Sequence, residues 1–218
     1  MSKSPNPFLD GNFAPVADEL TTTKLHVDGQ IPAELNGRFL RNGPNPIGDV
    51  DAGAHHWFVG NGMVHGLALR DGKADWYRNR LVRSPTTSAS LGETPITNTL
   101  APDRPVFAAN TNVIGHAGRT FALVEGGGCP VELSSDLDTL AYSDFDGTLP
   151  LAFSAHPKRD PATGALHTLA YHWKWGNQVQ YLRVNSDCQV DRVVDVPTTG
   201  GPMIHDMAFT QKYIIIMD

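Results

Sequence analysis

The chain has 218 residues, of which 40% are hydrophobic, and a formal net charge of −6. The length suits one domain or part of a larger one, and the hydrophobic share excludes an intrinsically disordered chain. The acidic balance argues against a nucleic-acid partner, because no continuous basic stripe is present to neutralise phosphates.

Short β-type runs follow one another along the chain. The 16 prolines and 21 glycines are spread between them, so few windows suit a long helix. Strands are predicted at residues 38–46, 55–62, 63–82, 120–128, 166–173, 178–184, 191–197 and 213–218. This pattern indicates an all-β sandwich, barrel or propeller, and no repeat typical of WD40 or kelch blades decides between them.

Turn residues predict two hairpins. Asp71-Gly72 joins two alternating runs, as a two-residue turn requires, and Trp175-Gly176-Asn177 separates a second pair. The GNG at 60–62 lacks the rest of a dinucleotide-binding fingerprint, so we interpret it as another hairpin turn. Residues 84–107 are turn-rich and largely uncharged, and we expect them to form a long loop.

Cysteine usage and hydropathy indicate the compartment. Cys129 and Cys188 are too few for a secreted disulfide scaffold and form no CxxC motif. No apolar run reaches the length of a signal-peptide core at the N-terminus, or of a membrane span elsewhere. We therefore expect reduced thiols and a cytoplasmic protein.

Nine histidines are the main candidates for chemistry. The sequence has no HExxH helix, no GxSxG elbow and no P-loop, which argues against a zinc protease or a serine hydrolase of that type. His156 and His205 differ from the others, because each lies where a strand begins or ends and sheets present functional side chains there. The residues alone favour a hydrogen-bonded structural role over metal ligation at both positions.

The other histidines have settings that predict no special role. His167 and His172 are five residues apart in one predicted strand, so we expect their side chains on opposite faces. We interpret both, together with His55, His56 and His65, as structural or exposed.

The last six residues, 213–218, form a β-branched run typical of a core or central strand. A polar terminus would be the ordinary expectation at this place. Either the final strand is an edge covered by another element, or the chain is the front part of a longer protein.

Several stretches carry a family resemblance. They are RNGPNP at 41–46, GMVHG at 62–66, FALVEGGGCPVEL at 121–133, FDGTL at 145–149, AHPKRDPATGALH at 155–167 and IHDMAFTQKYIIIMD at 204–218. In this order they resemble the carotenoid cleavage oxygenase family, which also includes stilbene-cleaving dioxygenases and a retinoid isomerase. The resemblance extends from about Asn6 to the end of the chain.

The resemblance implies the N-terminal part of a seven-bladed β-propeller, with residues 1–218 forming about half of an oxygenase domain. In this family four histidines hold a ferrous ion on the propeller axis, with no carboxylate bound to it. Two of these ligands fall on His156 and His205, and the other two belong to the family's second half. We therefore expect the front half of an enzyme that ends just after its second iron ligand.

The resemblance also gives Glu125 a role. Ligand imidazoles need a partner that accepts their other N–H, and in the family glutamates do this for three of the four histidines. One of these glutamates falls on Glu125, at the end of the apolar run FALV, where burial is expected. The alternative is a surface glutamate near a turn.

The implied reaction is cleavage of a conjugated carbon–carbon double bond by dioxygen, which gives two carbonyl products. Val124 stands where stilbene-cleaving members carry a lysine that contacts the substrate's phenolic hydroxyl. Because valine can neither hydrogen-bond nor carry charge, we expect an apolar carotenoid or apocarotenoid substrate, with a stilbene as the alternative.

Two further expectations concern the whole chain. A polyene must be extracted from a membrane, so the resemblance implies peripheral membrane contact, and residues 84–107 suit either the substrate entrance or an ordinary surface loop. A non-catalytic fragment is another alternative, because half a propeller leaves an open sheet edge and two histidines alone bind iron weakly.

Overall fold

The computed structural model describes residues 6–218, and antiparallel strands make up nearly all of its regular structure. The strands are β1 (Thr21–Thr22), β2 (Gly37–Asn45), β3 (Asn61–Arg70), β4 (Lys73–Leu81), β5 (Asn112–His116), β6 (Arg119–Leu123), β7 (Val131–Leu133), β8 (Thr139–Tyr142), β9 (Lys158–Arg159), β10 (Leu166–Tyr171), β11 (Gln178–Val184), β12 (Val190–Pro197), β13 (Ala208–Phe209) and β14 (Ile214–Ile215). One α-helix, α1 (Pro85–Leu91), and 3-10 turns at Pro7–Leu9, Gly11–Phe13 and Trp173–Trp175 complete the elements. The all-β prediction is confirmed.

The strands form three four-stranded sheets and one two-stranded sheet. The orders are β1-β4-β3-β2, β5-β6-β7-β8, β12-β11-β10-β9 and β13-β14. The second and third sheets are simple meanders, whereas in the first the N-terminal β1 joins the free edge of β4. Repeated four-stranded sheets of this kind are the blades of a β-propeller, although the sequences of the blades share no visible repeat.

Each sheet packs its apolar face against the next. Phe121 of the second sheet lies at the centre of one cluster, where it packs edge-to-face on Phe145, which in turn packs on Phe153. Leu166 and Leu182 of the third sheet close this cluster from the other side. Two further clusters fill the gaps between the first and second sheets and between the third and fourth. Stacked packing of this kind sets the positions of the loops at the ends of the strands.

The turn at Asp71-Gly72 is confirmed. Arg70 pairs with Lys73, and the two turn residues have φ of 49° and 74°, as a tight hairpin turn requires. The second predicted hairpin also exists, but its connection is longer. Tyr171 pairs with Val179, so the connection includes the 3-10 turn Trp173–Trp175 as well as the predicted turn.

The predicted strand at 55–62 and the hairpin turn at 60–62 are wrong. Residues 46–60 form a loop, and β3 begins only at Asn61, with Gly62 paired to Pro44. A methyl group on Gly62 would collide with the backbone carbonyl of Ala109. Gly62 therefore allows its backbone to lie close to that of Ala109, and turn residues in the sequence do not reveal this contact.

The expectation of a continuous loop over residues 84–107 is also wrong, because the segment begins with α1. Ser84 caps the helix by accepting a hydrogen bond from the Thr87 N–H, and Pro85 occupies the first turn. Gly92 ends the helix with φ of 68°. These caps stabilise seven residues that have no apolar periodicity of their own.

Two other predictions need correction. The terminal run forms only the two-residue strand β14, where Ile214 is half-buried and Ile215 exposed, because among residues 6–218 it pairs only with the equally short β13. His172 lies after β10 rather than in it, so the argument from opposite faces does not apply. Its buried ring accepts a hydrogen bond from the Lys174 N–H and begins the 3-10 turn.

Cys129 and Cys188 are both buried and form no disulfide with each other. Within residues 6–218, no helix combines the length and the apolar character needed to cross a membrane.

Candidate metal centre

Two consecutive sheets each present a histidine just before their first strand. His156 lies two residues before β9, and His205 lies three residues before β13. Because the third and fourth sheets stack side by side, the two imidazole rings meet with their centroids 4.3 Å apart. The fold thus brings together two histidines that are distant in the sequence.

Glu125 reaches the same place from the second sheet. It follows β6 in a turn of three glycines, of which Gly126 and Gly127 have φ of 79° and 90°. A methyl group on Gly127 would lie 2.5 Å from the carbonyl oxygen of Tyr171, so the turn is pressed against the end of β10. From this turn the Glu125 side chain reaches His205.

The three side chains form a compact group of possible metal ligands. Ligand atoms of Glu125, His156 and His205 all lie within 4.8 Å of one another. In the part of the chain that the structure describes, no other three histidine, cysteine or acidic residues meet in this way. Glu125 and His156 are half-buried, whereas the side chain of His205 is 64% exposed.

The contact between Glu125 and His205 is a hydrogen bond. The Glu125 Oε2 atom lies 2.6 Å from Nδ1 of His205. This distance suits a charge-assisted hydrogen bond and is shorter than the roughly 3 Å between two atoms bound at a right angle to one metal ion. Glu125 therefore accepts the Nδ1–H, and the Nε2 lone pair of His205 stays free for another partner.

His156 offers a free nitrogen as well. Its buried Nε2 has no hydrogen-bond partner, which leaves the desolvation of that atom uncompensated. Burial, and then the neighbouring His205, lower the pKa of His156 below its ordinary value. The neutral imidazole is the form that binds metals. The unpartnered Nε2 and the lowered pKa of His156 therefore both suit cation binding.

An ion pair joins the two segments that carry the histidines. The Lys158 ammonium group lies 2.7 Å from the Asp206 carboxylate, and each residue is within two positions of a histidine. Burial is the largest single influence and acts to raise the pKa of Asp206, but the hydrogen bonds from Lys158 and the Met207 N–H, together with the Lys158 charge, lower it below its ordinary value. The sequence shows both residues, but only the stacking of the sheets shows that they pair.

Tyr171 is a second contact that sequence reasoning missed. Its phenol donates to the Oε1 atom of Glu125 at 3.3 Å. Burial and the nearby carboxylate raise the pKa of Tyr171 to about 12, so the phenol keeps its proton and remains a donor. The apolar alternation of β10 could have placed this tyrosine at a strand end, but not beside Glu125.

Val124 precedes Glu125 in the chain and has an apolar setting. A methyl group on Gly128 would lie 2.5 Å from Cγ1 of Val124 and 3.0 Å from a ring carbon of Phe107. The Phe107 ring is in turn 6.2 Å from that of Trp173, which is 68% exposed. The contact of Val124 with substrate stays a prediction.

The other histidines lie outside the group. His65 and His167 each have Nδ1 within hydrogen-bond distance of a tyrosine hydroxyl in the neighbouring strand, Tyr77 at 2.8 Å and Tyr181 at 2.7 Å. His55 and His56 lie in the loop before β3. The interpretation of these residues as structural or exposed agrees with their contacts.

Comparison with known proteins gives the family. Residues 13–218 match the family model described as "Retinal pigment epithelial membrane protein". A "Carotenoid cleavage oxygenase" of Mycobacterium tuberculosis is 50% identical over 219 residues, which cover 100% of this chain and 44% of that protein. A "Carotenoid 9,10(9',10')-cleavage dioxygenase 1" of Pisum sativum is 35% identical, with coverage of 100% and 45%. The chain thus spans less than half the length of these relatives.

Solved structures give the same result. A lignostilbene dioxygenase of Pseudomonas brassicacearum matches with a TM-score of 0.81 and 28% identity, covering 96% of this chain and 46% of that one. A cobalt-substituted apocarotenoid oxygenase of Synechocystis matches with a TM-score of 0.77 and 27% identity, covering 92% and 46%. These matches confirm the prediction of part of a β-propeller. The chain belongs to the retinal pigment epithelial membrane protein family of carotenoid, apocarotenoid and stilbene cleavage oxygenases.

Proposed function

We propose that this chain supplies half of a non-haem Fe(II) centre, in which His156 and His205 bind the ion and Glu125 orients His205. The observation that carries the proposal is the pair of free nitrogens. His156 has a buried Nε2 without a partner, and Glu125 occupies Nδ1 of His205 so that its Nε2 is available. The neighbouring Lys158–Asp206 ion pair holds the two histidine segments together.

The bound iron would supply the activation of dioxygen. Imidazole nitrogens suit iron, and neutral ligands leave the ion its full charge. The protein's own part is to keep His156 neutral by burial and to keep the His205 ring in one tautomer through Glu125. The family pattern requires two further histidines, and the group formed by the described residues does not include them.

For the whole enzyme we propose oxidative cleavage of a conjugated double bond. One oxygen atom of O2 enters each of the two carbonyl products, so the reaction needs no external reductant. The proposed substrate is an apolar carotenoid or apocarotenoid, supported by Val124 and by the names of the most similar relatives. Phe107 and Trp173 extend the apolar surface beside Val124, as a polyene would require.

A stilbene is the second candidate substrate, favoured by the close structural match to a lignostilbene dioxygenase. Incubation of the iron-loaded protein with an apocarotenal or a hydroxystilbene under ¹⁸O2 distinguishes the two. Labelled aldehydes from the apocarotenal alone support the carotenoid proposal, and labelled aldehydes from the stilbene alone overturn it. Iron binding without any product would support the non-catalytic alternative.

Metal titration tests the centre itself. Co²⁺ serves as a redox-stable probe, and its affinity for the 218-residue chain is measured by calorimetry. His156→Ala and His205→Ala should each weaken binding by at least about tenfold, because each removes a ligand. His26→Ala is the matched control, since the His26 side chain is 87% exposed and bonds only to the nearby Asp28. Equal affinities in all four proteins would refute the proposal.

A further inference from the structure

We infer that Tyr171 is a positioning residue for this centre, and that its phenol fixes the Glu125 carboxylate and thereby the ring of His205. The inference rests on the proposed function, because it concerns the same metal site. It extends that function to a residue that touches neither the ion nor a ligand.

Both oxygens of Glu125 have a partner. Oε2 accepts from Nδ1 of His205 at 2.6 Å, and Oε1 accepts from the Tyr171 hydroxyl at 3.3 Å. The terminal torsion of a glutamate is otherwise broad, so a carboxylate with one bond could rotate or exchange its oxygens. The second bond restricts this rotation and keeps Oε2 directed at His205.

The two sides of this contact differ in rigidity. Tyr171 is the last residue of β10 and pairs with Val179 of β11, so the sheet holds its backbone. Glu125 stands in a glycine turn outside the sheet, where side-chain orientation depends on added contacts. The Tyr171 phenol is held by the sheet, so its hydrogen bond restricts the motion of the Glu125 carboxylate. Functional side chains are positioned more precisely when rigid elements support them.

Gly127 makes this contact possible. A methyl group there would lie 2.5 Å from the Tyr171 carbonyl oxygen and 3.2 Å from Cβ of Ala152. The glycine turn and the end of β10 can touch only because this side chain is absent. The close approach of Glu125 to Tyr171 thus depends on the backbone contact at Gly127.

The consequence concerns the tautomer of His205. With Glu125 fixed, the ring carries its proton on Nδ1 and presents Nε2 to the ion. Loss of the phenol would leave Glu125 free to turn, so the second tautomer and other ring orientations would become populated. Metal affinity should then fall while the fold is unchanged.

Tyr171→Phe in the 218-residue chain tests this inference, with Tyr181→Phe as the matched control. Tyr181 lies in the same hairpin, and its hydroxyl also bonds to a histidine, His167, but this pair is outside the metal group. The measurements are the dissociation constant of Co²⁺ and the histidine ¹⁵N shifts of the metal-free protein, which report the tautomer. Tyr171→Phe should weaken Co²⁺ binding by about three- to tenfold and lower the Nδ1–H population of His205. Tyr181→Phe should leave both within about twofold of the original protein.

A double variant separates positioning from general packing. In a Glu125→Ala background, which offers the phenol no acceptor, Tyr171→Phe should cause no further loss of Co²⁺ affinity, because its effect acts through the Glu125 side chain. Thermal melting checks that all variants fold cooperatively. An additive loss in the double variant would indicate packing and overturn the inference.

The failure of the inference and that of the proposed function give different results. If the original chain binds Co²⁺ and Tyr171→Phe behaves like Tyr181→Phe, the inference is wrong and the metal centre stands. If the original chain does not bind Co²⁺, the proposed function fails and the inference fails with it.

Discussion

At the scale of residues, the candidate centre joins side chains from three sheets. Glu125, His156 and His205 follow one another at long intervals in the chain and meet only because successive sheets stack. Local sequence reasoning distinguished both histidines by their settings but favoured a structural role, and the family resemblance was needed to predict metal ligation. Tyr171 was not found by either route, because its contact depends on the pairing register of β10 and on the glycine turn after β6.

Replacement of Glu125 should show how much the hydrogen bond to His205 contributes. Glu125→Gln keeps the shape but offers a weaker, neutral acceptor, so Co²⁺ affinity should fall by about 10- to 100-fold. Glu34→Gln, at an exposed position far along the chain, is the control and should bind like the original protein. Calorimetric titration measures both, and an unchanged affinity in Glu125→Gln would exclude its orienting role.

At the scale of elements, features with a local cause were predictable. The Asp71-Gly72 turn was found because its residues favour positive φ, whatever the rest of the protein does. The start of β3 was misplaced because Gly62 is required by its close contact with the distant backbone of Ala109, and not by a local turn. The helix α1 was missed because its two caps stabilise a segment too short to show periodicity.

Gly62→Ala should destabilise the first sheet. The added methyl collides with the Ala109 carbonyl, so the free energy of unfolding should fall by about 1–3 kcal/mol. Gly43→Ala is the control in the neighbouring strand, where a methyl meets no atom within 4 Å. It should leave stability unchanged or raise it by up to about 1 kcal/mol. Urea unfolding compares the two, and equal stabilities would show that the close contact at Gly62 is not required.

The cap of α1 can be tested in the same way. Ser84→Ala removes the acceptor of the Thr87 N–H at a fully buried position, so stability should fall by about 0.5–2 kcal/mol. Ser90→Ala, at an exposed position of the same helix, should change it by less than about 0.5 kcal/mol. A loss in Ser90→Ala as large as that in Ser84→Ala would mean that the cap contributes nothing specific.

At the scale of the whole molecule, four histidines outside the metal group lie in buried or half-buried positions. Burial is the largest influence on His65, His116, His167 and His172, and it lowers the pKa of each below the ordinary value. His116, for example, bonds to the Asn185 carbonyl at 2.7 Å and lies beside Arg159, which joins the second sheet to the third. The folded protein therefore favours the neutral form of these rings more strongly than the unfolded chain does.

Stability should depend on pH as a result. Below about pH 6.5 the unfolded chain binds protons at these histidines that the folded protein does not. The stabilisation is thus complete above that value and is lost as the pH falls towards the lower folded pKa. Urea unfolding at about pH 7.5 and about pH 5.5 should show a lower free energy of unfolding at the acidic value. A stability that is constant or higher at the acidic pH would contradict this explanation.

The site of metal binding can be observed in the crystal. Crystals of the chain are grown with Co²⁺, and anomalous diffraction at the cobalt edge then locates the ion relative to Glu125, His156 and His205. We expect cobalt bonded to Nε2 of both His156 and His205, with Glu125 still hydrogen-bonded to Nδ1 of His205. Cobalt bonded to the Glu125 carboxylate, or absent from both histidines, would contradict the proposed centre.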